Sequence, residues 1–140
     1  MSKQTNHRRI RVEFGNCDPA QIVYFPNYLT WLDQSTHYLF ESVGIPWRDL
    51  PARWGIQAPL VDVSARFLGP AGWGDELDIE SRIDSWGSKS FVVSHRINDA
   101  QTGKGLVEGR ETRVCVSIDP NIPKRLTACV VPEDIRSAFE

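Results

Sequence analysis

Only one stretch of this chain can form a long helix, and that helix is apolar on more than one side. From about Asn27 to Val43, the residues Tyr28, Trp31, Leu32, Ser35, Leu39 and Val43 recur at helical spacing as one stripe. Leu29, Asp33 and Phe40 fall on a different side, with Thr36 between the two sets. Pro26 suits the first turn, and Gly44 with Pro46 stops the helix. A helix of this kind must be covered twice. A sheet wrapped around it, with a second subunit against the remaining side, would meet that need.

The rest of the chain reads as strands. Before the helix, Ile10, Val12 and Phe14 alternate with charged residues over Arg9 to Phe14. After an irregular segment from Ile45 to Pro59, Val61, Val63, Ala65 and Phe67 alternate with Asp62, Ser64 and Arg66. Leu77, Ile79, Ser81 and Ile83 alternate with Asp78, Glu80 and Arg82 in the same way. Ser90 to Ile97 and Leu106 to Ile118 follow, joined through a turn at Asn98 to Gly105. A short strand near Leu126 to Val130 and a brief helix over Pro132 to Phe139 end the chain. Strand, long helix, then strands without intervening helices predicts an α+β fold with a largely antiparallel sheet against one helix.

Composition narrows the class. A length of 140 residues suits a single domain over 1–140, and 41% hydrophobic with 24% charged residues argues against disorder. A net charge of −2 offers no broad field for nucleic acid or an anionic membrane. The stretch Met1 to Arg9 is polar and basic with no apolar run behind it, which excludes a secretory signal, and no later stretch has the length of a membrane span. The three cysteines, Cys17, Cys115 and Cys129, are odd in number and form no CxxC pair. Reduced thiols in the cytoplasm are therefore expected.

Several chemistries lose their signatures outright. The chain has no GxSxG, P-loop, GxGxxG or HExxH, and His7, His37 and His95 have no ligand partners at metal spacing, so no metal is expected. What stands out is Glu13 to Tyr28, EFGNCDPAQIVYFPNY, which puts a carboxylate in a tight turn a few apolar residues before a helix begins. A helix start carries free N–H groups and a partial positive charge, able to stabilise an oxyanion on a docked thioester carbonyl. Asp18 is then placed to attack that carbonyl or to activate water. Two plainer readings stand beside this one: Asp18 hydrogen-bonding its own turn, and Cys17 as a small filler without a histidine partner.

The stretch Phe14 to Asp33, FGNCDPAQIVYFPNYLTWLD, resembles the active-site segment of the 4-hydroxybenzoyl-CoA thioesterase family of hot-dog-fold enzymes. In that family a strand leads to the Asp-Pro turn and an apolar run, and FPNY or HANY opens the central helix. The resemblance extends to the element order over nearly the whole chain. It implies a curved antiparallel sheet around one long central helix, and hydrolysis of an acyl-CoA with Asp18 as the catalytic carboxylate. Backbone N–H groups near Tyr24 and Phe25 would meet the thioester oxygen. Asp33 falls on the family's acidic helix residue, which meets the 4-hydroxyl of an aromatic acyl group. A related aliphatic branch has His where this chain has Phe25, so the aromatic branch is favoured. Gln21 replaces a frequent glycine, and Asn16 an acidic residue.

For the nucleotide end, the resemblance points to the connection Trp86-Gly87-Ser88-Lys89-Ser90-Phe91, with Lys89 and Ser90 matching the family's Lys-Ser. The expected arginines are Gly87 and Ser88 here, so Arg110, Arg113, Lys124 or Arg125 would have to supply basic charge. No cofactor is implied beyond the CoA of the substrate. The family also implies a homodimer, with sites between subunits, assembling into a homotetramer. An aliphatic acyl-CoA or acyl carrier protein thioesterase, a non-catalytic acyl-CoA sensor and a dehydratase-like protein are the competing expectations.

Overall fold

The computed structural model describes residues 4–140. β1 (Thr5–Arg11) leads through a 3-10 turn at Phe14–Asn16 to α1 (Pro26–Ser42). A second 3-10 turn (Trp47–Asp49), α2 (Leu50–Trp54) and β2 (Ile56–Gln57) follow. Then come β3 (Leu60–Phe67), β4 (Glu76–Trp86), β5 (Ser90–Asp99), β6 (Gly105–Val114), β7 (Val116–Ile118), β8 (Leu126–Ala128) and α3 (Glu133–Ala138).

The larger sheet is antiparallel throughout, in the order β1-β4-β5-β6-β3, and a small sheet runs β2-β7-β8. The alternation of side chains sorts the large sheet into two faces. Leu77, Ile79 and Ile83 of β4, Phe91, Val93 and Ile97 of β5, and Val107 of β6 are buried. The opposite face carries a row of alternating charge across neighbouring strands, Glu80–Arg96–Glu108–Arg66, set by register. That row lines a shallow concavity of about 570 Å³, and each charge in it already faces an opposite one.

Helix α1 lies over the buried face. Tyr28, Trp31 and Leu32 pack with Val12, Leu77, Ile79, Ile97 and Val107, while Leu39 and Phe40 join a second cluster with Ile83, Phe91, Ile135 and Phe139. Phe40 is therefore part of the core and not of an outer side with Asp33. Its ring meets Trp47 and Phe139 at 4.9 Å and Phe91 at 5.4 Å, so the segment after the helix and α3 supply much of the second cover. Arg8 ties β1 to the helix by donating to Ser35 Oγ at 3.3 Å and Gln34 Oε1 at 3.0 Å.

Two boundaries and one face differ from the sequence expectation. The first strand runs Thr5–Arg11, because at Val12 the backbone turns to bond Asp75 O (2.8 Å) and Phe14 then enters the 3-10 turn. The single strand expected over Leu106 to Ile118 is broken at Cys115, whose N–H donates to Lys89 O (2.8 Å) while its carbonyl accepts from Cys129 N–H (2.9 Å). Strand β3 has no covered face: it is an edge strand, with Val61 59%, Val63 37% and Phe67 49% exposed.

Candidate functional site

The segment between β1 and α1 closes on itself as a small hairpin. Cys17 bridges Val23, Asp18 N–H donates to Ile22 O at 3.0 Å, and Gln21 N–H donates to Asp18 O at 2.8 Å. Pro19 sits at the second position of that turn, where its fixed φ is favourable. The Asp18 carboxylate takes part: Oδ1 accepts the Ala20 N–H at 2.8 Å. The turn-forming and the chemical readings of Asp18 are thus compatible. Oδ1 fixes the side chain, and Oδ2 accepts no hydrogen bond among the described residues.

Asn16 couples this hairpin to the helix. Its carbonyl accepts from Tyr24 N–H (2.8 Å) and from Asn27 Nδ2 (2.7 Å), and its Oδ1 accepts from Glu13 N–H (2.7 Å). The Tyr24 N–H, one of the two donors expected to meet a thioester oxygen, is therefore already engaged. Pro26 has no N–H, and those of Asn27 and Tyr28 donate to the carbonyls of Tyr24 (2.9 Å) and Phe25 (3.0 Å). The Phe25 N–H, at the N-cap of α1, is left without a partner among the described residues. Around it the rings of Tyr24, Phe25, Phe67 and Tyr28 form a chain of contacts between 5.7 and 6.4 Å. Tyr24 and Phe25 are more than half exposed there.

Asp33 lies two turns further along α1, roughly 10 Å from Pro26 at helical rise. It opens on a cleft of about 310 Å³ whose walls include His37, Trp47, Pro59 and Arg113. Asp33 Oδ1 accepts from Arg113 NH2 at 2.5 Å, with His37 Nε2 at 3.8 Å, and Asp33 Oδ2 has no partner among the described residues. The His37 ring stacks on Trp47 at 4.8 Å, and the Arg113 guanidinium lies 5.2 Å from the Trp47 ring centre. Burial holds His37 below the ordinary imidazole range despite the pull of the Asp33 charge. Asp18 does not line this cleft within one chain.

Sequence reasoning missed what lies beneath. Glu111, His95 and Ser81 are buried on the inward face, and Glu111 Oε1 accepts from Thr36 Oγ1 and lies 3.1 Å from His95 Nε2. His95 Nδ1 is 2.7 Å from Ser81 Oγ, and Glu111 Oε2 accepts from Arg113 NH2 at 3.2 Å. Burial pushes the Glu111 carboxyl up, but His95, the Arg113 charge and Thr36 together hold it below the ordinary carboxylate range. The signal was present in the alternation, which places Ser81 between Ile79 and Ile83, and His95 between Val93 and Ile97.

The nucleotide-end residues lie elsewhere. Lys89 is exposed and Ser90 half-buried at the β4–β5 turn, where Gly87 N–H donates to Ser90 O at 2.8 Å. A second cation at this turn is Arg136 of α3, bonded to the carbonyls of Gly87 and Ser88. Arg113, one of the four alternative sources of basic charge for the nucleotide end, is only 4% exposed and faces Asp33 and Glu111 instead. Arg110 pairs with Asp84 at 2.9 Å on the outer sheet face. Burial and the nearby Cys129 push the Cys115 thiol up to about 12, which makes it a poor nucleophile.

Comparison with known proteins gives a consistent picture. The profile of the thioesterase-like superfamily matches residues 12–139. The chain is 40% identical over 129 residues to 4-hydroxybenzoyl-CoA thioesterase of Pseudomonas sp. (strain CBS-3), covering 89% of each. It is 35% identical over 126 residues to the 1,4-dihydroxy-2-naphthoyl-CoA hydrolase of Prochlorococcus marinus subsp. pastoris (strain CCMP1986 / NIES-2087 / MED4), covering 83% of this chain and 79% of that one. Its structure superposes with a TM-score of 0.89 on a crystal structure of a 4-hydroxybenzoyl-CoA thioesterase variant in complex with 4-hydroxybenzoyl-CoA. That match is 34% identical and covers 98% of this chain and 99% of the other. The fold is the hot-dog fold expected from the sequence.

Proposed function

This chain belongs to the thioesterase-like superfamily and is an acyl-CoA thioester hydrolase, and from that premise we propose that its substrate is an aromatic acyl-CoA bearing a ring hydroxyl. The observation that carries the substrate class is the cleft beside Asp33, walled by Trp47 and Pro59, with Asp33 Oδ2 unengaged. A flat ring suits such walls, and a free carboxylate oxygen suits a hydroxyl donor. Two relatives, named for 4-hydroxybenzoyl- and 1,4-dihydroxy-2-naphthoyl-CoA, share that chemistry of an aryl thioester with a ring hydroxyl.

In the reaction, the Phe25 N–H donates to the thioester oxygen as negative charge develops on it. Asp18, held by the Ala20 N–H through Oδ1, acts through Oδ2 on the carbonyl carbon or on a water that attacks it. The thiolate of CoA leaves; in the first route water then hydrolyses the acyl–Asp18 anhydride, and by either route the free acid is released. Lys89 and Ser90 are assigned to the nucleotide end, with exposure of Lys89 in support. The chain works as a homodimer, assembling further into a homotetramer, with Asp18 of one subunit serving the Asp33 cleft of another. Supporting this, β3 is an edge strand with apolar residues exposed. An odd cysteine count without CxxC supports a cytoplasmic setting.

The test is steady-state CoA release from 4-hydroxybenzoyl-, benzoyl-, phenylacetyl-, hexanoyl- and acetyl-CoA. The expected order puts 4-hydroxybenzoyl-CoA first in kcat/KM, about tenfold or more above benzoyl-CoA, the scale of one lost bond to a charged partner. Turnover confined to the aliphatic members would transfer the substrate to that class and sink the aromatic assignment.

A further inference from the structure

We propose that Arg113 is the positioning residue of the aromatic subsite: it turns Asp33 so that one carboxylate oxygen alone faces the acyl ring, and so sets the preference for a hydroxylated ring. The inference rests on the reading of Asp33 given above and names what makes Asp33 selective.

Arg113 comes from β6 and Asp33 from α1, so their contact joins sheet to helix at the mouth of the cleft. The guanidinium is clamped on three sides. NH1 donates to Ala58 O at 3.0 Å, and NH2 donates both to Asp33 Oδ1 at 2.5 Å and to Glu111 Oε2 at 3.2 Å. Its Nε is buried and has no hydrogen-bond partner among the described residues, an unmet donor on a residue that walls the cleft. Glu111 is in turn held by Thr36 and His95, and His95 by Ser81.

Stability does not account for this array. Buried ion pairs return little beyond their desolvation cost, and apolar residues of similar volume serve a core at least as well. Here a chain of buried polar groups ends at the one member that is half-exposed, Asp33, whose side chain is 47% accessible while Arg113 and Glu111 are at 4% and 1%. A carboxylate free to rotate would offer either oxygen to solvent or substrate. With Oδ1 held by a clamped guanidinium, Oδ2 has a fixed direction, and a ring hydroxyl finds an acceptor already in place. Pre-orientation of this kind acts on substrate choice without touching the substrate.

The experiment compares the kcat/KM ratio of 4-hydroxybenzoyl-CoA to benzoyl-CoA in wild type, Asp33→Ala, Arg113→Met, Arg113→Lys and the Asp33→Ala/Arg113→Met double variant. The expected result is a fall in the ratio of about tenfold in both single variants, read mainly in the KM of the hydroxylated substrate. The double variant should lose no more than Asp33→Ala alone, and Arg113→Lys should keep part of the preference. Since Arg113→Met strands Glu111, its folding is checked by thermal melting, and Arg113→Met/Glu111→Gln replaces it where folding fails. A ratio that collapses in Asp33→Ala but persists without Arg113 overturns the inference while leaving Asp33 as the reader. A ratio unchanged in Asp33→Ala overturns the reading of Asp33, and Arg113 as its positioner with it. A collapse in Arg113→Met alone would mean that Arg113 acts on the ring by itself, which also contradicts the positioning role.

Discussion

At Gln21 the backbone takes φ = 69°, the left-handed region that favours glycine, in the turn that carries Asp18. Gln21 N–H closes that turn on the Asp18 carbonyl, so the strain sits against the reacting group. Gln21→Gly should relieve it, with a gain of roughly 0.5–1 kcal/mol after the extra freedom of the unfolded chain is counted. A thermal melt checks this, and a lowered Tm would show that the Gln21 side chain has a compensating role. The sequence reading of this turn singled out Asp18 and left open how its carboxylate is held. That Asp18 binds its own backbone and still presents an oxygen depends on which oxygen the Ala20 N–H takes, and residue identities do not encode that choice.

At the scale of elements, α1 fits the sheet because Gly109 leaves room for it. A Cβ added there would come within 2.5 Å of Leu32 Cδ1, and Leu32 is fully buried. Gly109→Ala should cost about 1–3 kcal/mol by forcing Leu32 off its rotamer, and Leu32→Val in the same chain should recover part of it. Denaturant melts of the single and double variants test the coupling, and simple additivity would contradict it. The helix itself was legible almost to the residue, expected from about Asn27 to Val43 and found at Pro26–Ser42, because Pro26 and Gly44 bracket a clear period. The strand β1 was placed several residues late because the apolar alternation runs on through Val12 and Phe14, past the point where pairing to β4 ends. The Arg113–Glu111–His95 array was legible only in part: the alternation marks Ser81 and His95 as inward, but only the pairing of β4, β5 and β6 under α1 brings them together with Glu111 and Arg113.

At the scale of the whole molecule, the two faces of the large sheet have opposite fates. The outer face carries the cross-strand charge row, in which register sets opposite charges side by side within one chain, an arrangement worth little to stability, since exposed pairs contribute about 0–1 kcal/mol each. The β3 edge is different, with unpaired backbone groups and exposed Val61, Val63 and Phe67. A charge introduced at that edge, Val63→Lys, should shift the proposed homotetramer towards smaller species in sedimentation or light scattering. Loss of turnover should accompany that shift if the Asp33 cleft is completed by another subunit. An unchanged oligomer that stays fully active would argue against pairing through β3.

Hydrolysis is assigned to the Asp18 carboxylate. Asp18→Asn tests it most directly, because asparagine retains the Oδ1 acceptor that the Ala20 N–H requires and removes the charge. CoA release from 4-hydroxybenzoyl-CoA by the folded variant should fall at least about a hundredfold, with substrate binding retained. Turnover close to wild type in a variant of unchanged Tm would remove Asp18 from the chemistry.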